Sequence, residues 1–174
     1  MTHRNAAVSL VIGNKGYMGG GQDNYGNFAF KDFWEYNPLA NVWTAKANFG
    51  GAVRSVAAGF AIGTKGYIGT GADISGTPYS DFWEYDQGTN AWAAKATFTG
   101  GARFAASGFS IGNKGYIVFG SAGLTDYNTM SEYDPVGNSW LVKQPVGTAR
   151  YAAVAFSIGG KGYAGTGAGV GVTY

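Results

Sequence analysis

Ile62-Gly63-Thr64-Lys65-Gly66-Tyr67 decides the fold, because the chain writes it four times. The other copies are Ile12-Gly-Asn-Lys-Gly-Tyr17, Ile111-Gly-Asn-Lys-Gly-Tyr116 and Ile158-Gly-Gly-Lys-Gly-Tyr163, at steps of 50, 49 and 47 residues. A second block follows three of them: Asp32-Phe-Trp-Glu-Tyr36, Asp81-Phe-Trp-Glu-Tyr85 and the altered Met130-Ser-Glu-Tyr133. A third block closes the unit as Asn41-Val-Trp43, Asn90-Ala-Trp92 and Asn138-Ser-Trp140. An arginine leads every copy, at Arg4, Arg54, Arg103 and Arg150. A fixed period of this length means stacked supersecondary units. The sequence therefore holds three full repeats and the first part of a fourth, with boundaries near 1–50, 51–99, 100–146 and 147–174, all in one domain over 1–174.

Each repeat reads as four strands. Val56-Ala-Ala-Gly-Phe-Ala-Ile62 is short and apolar, with small residues where another backbone can approach. Gly-Asn/Thr-Lys-Gly between two apolar runs is hairpin chemistry, so Lys-Gly-Tyr-Ile-Gly is the second strand. Asp-Phe-Trp-Glu-Tyr alternates and forms a third. Asn37-Pro-Leu-Ala40, Asp86-Gln-Gly-Thr89 and Asp134-Pro-Val-Gly137 turn the chain into the outermost strand, Asn-x-Trp. No segment carries helical periodicity. Four antiparallel strands in roughly 40–50 residues is the size of a β-propeller blade. The aromatic content of 16% suits sheets that stack face to face.

Arginine, apolar strand, Ile-Gly-x-Lys-Gly-Tyr-Ile-Gly-x-Gly, variable loop, Phe-Trp-Glu-Tyr-Asp-Pro and Asn-x-Trp together resemble the kelch repeat, in the form found in bacterial multi-kelch proteins. The resemblance covers essentially the whole chain. It implies an all-β, kelch-type propeller, which with three and a half repeats is incomplete or closed by oligomerisation. The last repeat lacks the sequence for its third and fourth strands. A piece of a longer protein, a self-associating half ring and a small four-position ring with a two-stranded last blade all remain open. The family's paired glycines after the second strand stand here as Gly20-Gly21, but as Thr70-Gly71, Phe119-Gly120 and Thr166-Gly167, which questions the backbone path at those loop starts. A bacterial, extracellular or cell-surface setting is implied by the same resemblance.

Twelve basic residues against ten acidic give a net charge of +2, with no basic run. No nucleic-acid footprint is visible. No apolar run is long enough for a membrane-spanning helix. The chain has no cysteine and a single histidine, His3. Zinc sites of the usual type, Cys-His pairs and Ser-His-Asp triads cannot be assembled from that inventory. No catalytic residue, metal ligand or cofactor is assigned.

Glu35, Glu84 and Glu132 recur at one blade position, and a carbohydrate-active enzyme with Asp/Glu acid-base chemistry is the catalytic alternative. A group repeated in every blade more readily ties strands together. Asp23, Asp73 and Asp126 lie in loops, without the spacing of a calcium loop. Ring symmetry places Arg4, Arg54, Arg103 and Arg150 in a circle near one rim, and the resemblance implies that such arginines meet acidic groups of a peptide. The competing role is bridging adjacent blades. The loops Gly21–Lys31, Ala72–Ser80 and Ser121–Thr129 vary on a constant scaffold and carry Tyr25, Tyr79 and Tyr127, with Phe28 nearby. The expected function is thus a non-catalytic interaction module that holds a protein, peptide or glycan through rim arginines and loop tyrosines, with self-association. The structural alternative is a fragment that assembles through its open ends.

Overall fold

The computed structural model of the chain describes residues 2–169 together with the backbone of 172 and 173. All regular structure among them is β. Among the described residues no helix is long and apolar enough to cross a membrane. Blade 1 comprises β1 (Val8–Ile12), β2 (Lys15–Gly19), β3 (Phe33–Asn37) and β4 (Val42–Lys46); blade 2 comprises β5 (Ala58–Ile62), β6 (Lys65–Gly69), β7 (Phe82–Asp86) and β8 (Ala91–Lys95). Blade 3 contains β9 (Ser107–Ile111), β10 (Lys114–Val118), β11 (Met130–Asp134) and β12 (Ser139–Val142). Within each, strands pair with their sequence neighbours, all antiparallel. Blade 4 has β13 (Val154–Ile158) and β14 (Lys161–Gly165) in its sheet. A separate small pair, β15 (Ala168–Gly169) and β16 (Val172–Thr173), follows.

The repeated motifs do the folding work expected of them. Ile12 pairs with Lys15 and Ile62 with Lys65, so only two residues turn each first hairpin. Gly13, Gly63 and Gly112 all take φ near +58 there, at the position where a two-residue turn of the II′ kind calls for glycine. Asn41, Asn90 and Asn138 hold φ of +54, +52 and +45 at the entry to the outer strand, a conformation that asparagine tolerates better than most residues. The replaced glycines leave the path unchanged: Gly20, Thr70, Phe119 and Thr166 have φ of 62, 59, 63 and 62. Three non-glycine residues therefore carry left-handed strain because the surrounding hydrogen bonds fix the loop start.

Blades stack in sequence order, with the inner strands β1, β5, β9 and β13 side by side. Their faces interlock through a large side chain on one blade and a glycine on the next. Gly115 lies under the Phe60 ring, where a Cβ would come within 2.0 Å of the ring, and one on Gly108 would meet the Gly59 carbonyl at 2.5 Å. Between blades 1 and 2 the core contains Leu10, Ile12, Tyr17, Phe33 and Phe49 against Ile68, Tyr85 and Trp92. Between blades 2 and 3 the same positions are Phe60, Tyr67, Phe82 and Phe98 against Ile117, Tyr133 and Trp140. The cluster between blades 3 and 4 is smaller, built on Phe109, Val118 and Phe119.

Candidate functional site at the axial mouth

The leading arginines face inward. Arg54 and Arg103 are buried at 1% and 0% exposure, and the Arg4 side chain is exposed by only 4%. Each arginine donates through Nη1 to a carbonyl sixteen residues ahead: Gly20, Thr70, Phe119 and Thr166, at 2.9, 2.8, 2.8 and 3.2 Å. Arg4 and Arg54 also grip Asp32 and Asp81 with both prongs, at 2.5–2.7 Å. Their main chains cross the blade boundary, since Gly21 N donates to Arg54 O and Gly71 N to Arg103 O, both at 2.8 Å. The expected ligand-facing circle is thus corrected for Arg4, Arg54 and Arg103. Their charges are spent on holding loops and adjacent blades together. Arg150 is on the rim of a cleft beside blade 4.

Two of the three loop tyrosines belong to the same staples. The Arg54 guanidinium lies over the rings of Phe49 and Tyr79 at 4.7 and 4.5 Å, and Arg103 over Phe98 and Tyr127 at 5.0 and 3.8 Å. Tyr79 and Tyr127 are therefore packing partners of buried cations, not free recognition surfaces. Tyr25 differs, standing 87% exposed with Phe28 beside it in sequence at 68%.

The recurrent glutamates form a ladder of their own. Tyr17, Tyr67 and Tyr116 donate their hydroxyls to Glu35, Glu84 and Glu132 at 2.5, 2.7 and 2.9 Å. Lys15 and Lys46 flank Glu35, Lys95 flanks Glu84 and Lys143 flanks Glu132. Burial alone would raise the Glu35 and Glu132 carboxyls, but the lysine and tyrosine donors outweigh it and hold both below their ordinary value. A general acid needs the opposite shift. Burial, reinforced by Glu132, pushes the Tyr116 hydroxyl up to about 12. In the loops, Asp23 Oδ1 accepts from Asn27 N and Phe28 N, and Asp73 Oδ1 from Ser75 N and Thr77 N. These two aspartates are turn-formers. No group of three or more potential metal ligands assembles among the described residues.

What the fold does bring together lies on the axis. Ala6, Val56, Ala105 and Ala152 occupy equivalent positions with φ of 53, 50, 52 and 52. Val56 N donates to Ala6 O, Ala105 N to Val56 O and Ala152 N to Ala105 O, at 2.9, 2.9 and 2.8 Å. This hydrogen-bonded arc runs from blade to blade and makes the strained conformation obligatory, even for β-branched Val56. Immediately before each member stands a residue that differs in every repeat: Asn5, Ser55, Phe104 and Tyr151. Ser55, Phe104 and Tyr151 line a cleft of about 400 Å³ at this mouth, with Gln22 from the first variable loop and Asp73 and Ile74 from the second. Ser55 Oγ donates to Gln22 Oε1 at 2.9 Å, joining strand entry and loop across a blade boundary. Sequence reasoning passed over this position. Its signal is a single variable residue between the leading arginine and an apolar residue, alanine in three copies and Val56 in the second.

No protein-family model matches this chain, and neither does any curated protein. Among solved structures, the chain is similar to that of YjhT, with a TM-score of 0.81 at 16% sequence identity over 95% of this chain. It spans 60% of YjhT's length. At that identity the likeness speaks to the fold alone, and with the stacked four-stranded antiparallel sheets it establishes an all-β propeller architecture.

Proposed function

We propose that the chain is a kelch-type propeller module that binds a peptide or glycan at the axial mouth without chemical turnover. The observation that carries this reading is the asymmetry of Asn5, Ser55, Phe104 and Tyr151. Residues that hold a repeat together recur in it, as Arg54 and Glu84 do. Of these, Phe104 and Tyr151 put a phenyl and a phenol on the cleft, beside Gln22 and Asp73, while the Ser55 hydroxyl is taken up by Gln22. Aromatic faces beside hydrogen-bonding groups suit a sugar ring or an extended peptide. The loops that surround the mouth add exposed Ile74 and, further out, Tyr25, Phe28 and Leu124. The resemblance to bacterial multi-kelch proteins supports an extracellular or surface ligand.

The test is a binding screen against immobilised oligosaccharides and random peptides, followed by mapping of any hit. A ligand of the mouth loses at least tenfold in affinity on Phe104→Ala and Tyr151→Ala, with unchanged thermal stability. Hits that ignore both substitutions, or a screen with no hit in either class, sink the reading.

A further inference from the structure

We propose that the seam between blades 2 and 3 is a carboxylate-binding site, in which the Arg103 guanidinium and the hydroxyls of Thr129, Ser131 and Thr99 take a small external carboxylate. The ligand sits where blades 1 and 2 have an aspartate of their own. Phe98, the ring beneath the Arg103 cation, belongs to the core between blades 2 and 3. Both of those blades have all four strands, so the seam does not depend on where the sequence begins or ends. The site is separate from the axial mouth and stands or falls independently of it.

The pattern for such a site is built twice in the molecule. In blade 2 the Asp81 carboxylate accepts from Arg54 Nη1 and Nη2 at 2.6 and 2.7 Å, and Trp83 Nε1 donates to its Oδ2 at 2.7 Å. In blade 1 Asp32 accepts in the same way from Arg4, at 2.5 and 2.6 Å, and from Trp34 Nε1 at 2.7 Å. Gly50 makes room for the indole, since a Cβ on it would come within 2.5 Å of the Trp83 ring. Aspartate, indole and glycine are thus one unit around the buried arginine.

Blade 3 changes all three members at once. Thr129 stands for the aspartate, Ser131 for the tryptophan and Thr99 for the glycine. The guanidinium nevertheless stays inside, with Arg103 at 0% exposure. It donates through Nε to Gly101 O, through Nη1 to Phe119 O and Thr129 Oγ1, and through Nη2 to Gly100 O. Every one of these acceptors is neutral, and a buried cation without a countercharge is costly. The Tyr127 ring over it is a weaker partner than a carboxylate. Ser131 gives an independent sign. It shares a strand face with Thr129, two residues away; it is 1% exposed, and its Oγ has no hydrogen-bond partner among the described residues. A guanidinium and three hydroxyls are all donors, and the acceptor that would serve them together is an anion.

The guanidinium fork selects a planar carboxylate over a spherical ion, because two parallel N–H groups match its two oxygens. The path from solvent is short. The side chains of Asp32 and Asp81 are 32% and 38% exposed, so water reaches the position in question. With the Asp81 carboxylate in place, the Tyr79 ring lies 4.5 Å from the Arg54 guanidinium, whereas Tyr127 lies 3.8 Å from that of Arg103. Drawing the Tyr127 ring back by that difference reproduces the arrangement of blade 2.

The probe is sodium formate, titrated into the full chain against sodium chloride at constant ionic strength and near-neutral pH, with the melting temperature as readout. A parallel titration uses N-acetyl-aspartate amide, which presents the carboxylate as an acidic side chain does. We expect a saturable rise of about 2–4 °C over the chloride control. Thr129→Asp, which brings a carboxylate of the chain itself into the site, should abolish the rise. Thr129→Val, which keeps the shape and removes one hydroxyl, should weaken the apparent affinity at least about threefold. A capped aspartate that acts at lower concentration than formate supports the site with an acidic side chain as its ligand; formate acting alone supports it with a free small acid. An equal rise in chloride, a rise that survives Thr129→Asp, or no rise with either carboxylate overturns the proposal.

Discussion

Trp92 Nε1 donates to the carbonyl of Ala47 at 3.0 Å, and that bond crosses from one blade to the next. The indole simultaneously packs edge-on against Phe33 and Phe49 at 5.0 Å. Trp43 is the same residue of the first repeat, yet among the described residues no blade packs against its outer side and it is 44% exposed. Its ring meets Tyr36 of its own blade at 5.1 Å.

One letter of the repeat should therefore have two costs. Trp92→Ala removes a half-buried ring and a cross-blade hydrogen bond, and is expected to destabilise the fold by about 2–4 kcal/mol. Trp43→Ala should cost about 1 kcal/mol or less, since nearly half of the side chain is in water already and its ring makes no cross-blade hydrogen bond among the described residues. Urea unfolding of the two variants side by side measures the difference, and equal losses would contradict the blade order.

Breaking the buried staple should be severe. Arg54 is fully buried, while the Asp81 side chain that grips it is 38% exposed. Asp81→Asn leaves a buried guanidinium without its countercharge, which costs about 3–5 kcal/mol for a sealed pair. Because water reaches Asp81, we expect the lower end, about 2–3 kcal/mol. Thermal melting in low and high salt gives the value, and a loss below the exposed-pair range would count against an interior role for the arginine.

Blade 3 carries the reverse experiment. Thr129 stands where Asp32 and Asp81 stand, so Arg103 is held by carbonyls and by Thr129 Oγ1 at 3.1 Å. Burial without a carboxylate partner pushes the Arg103 pKa down to about 10. Thr129→Asp should supply the missing fork and raise stability by about 1–2 kcal/mol. A destabilised variant would mean that the Tyr127 ring over the guanidinium leaves no room for the carboxylate.

Acid should unfold the propeller through these carboxylates. The Arg4 hydrogen bonds hold Asp32 below its ordinary 3.8. For Asp81, Arg54 does the same against the opposing effect of burial, and Glu35 and Glu132 lie below 4.5 through their lysine and tyrosine donors. A depressed folded value means that the stabilisation is complete above the unfolded value and disappears as pH falls through the folded one. The melting temperature should hold from neutrality to about pH 5 and drop steeply below about pH 4. Asp81→Asn should shorten that drop. A melting temperature that stays flat down to pH 2 would exclude these pairs as a source of stability.

Much of the fold was legible in the sequence because a repeat states each local choice several times. The two-residue turn at Gly63-Thr64, the third strand at Asp81-Phe-Trp-Glu-Tyr85 and the Asn-x-Trp closure all depend on neighbours in sequence. The function of the arginines was not. Arg54 and Asp81 lie 27 residues apart, and only the fold of the loop between them turns the guanidinium inward, so a circle drawn from symmetry looked like a rim and is an inner seam. The packing of Tyr79 and Tyr127 is illegible for the same reason, since a tyrosine in a polar loop carries no sign that a cation from its own repeat lies beneath it.

Blade formation is written locally, because periodicity, turn chemistry and alternation all act between near neighbours and recur from copy to copy. Which residues face water follows instead from how one blade packs on the next. The four unlike residues around the axis arise from how successive blades stack. That stacking depends on close approaches such as Gly115 beneath Phe60; the repeat marks the glycine, but which side chain of the neighbouring blade lies against it is set only by how the blades pack.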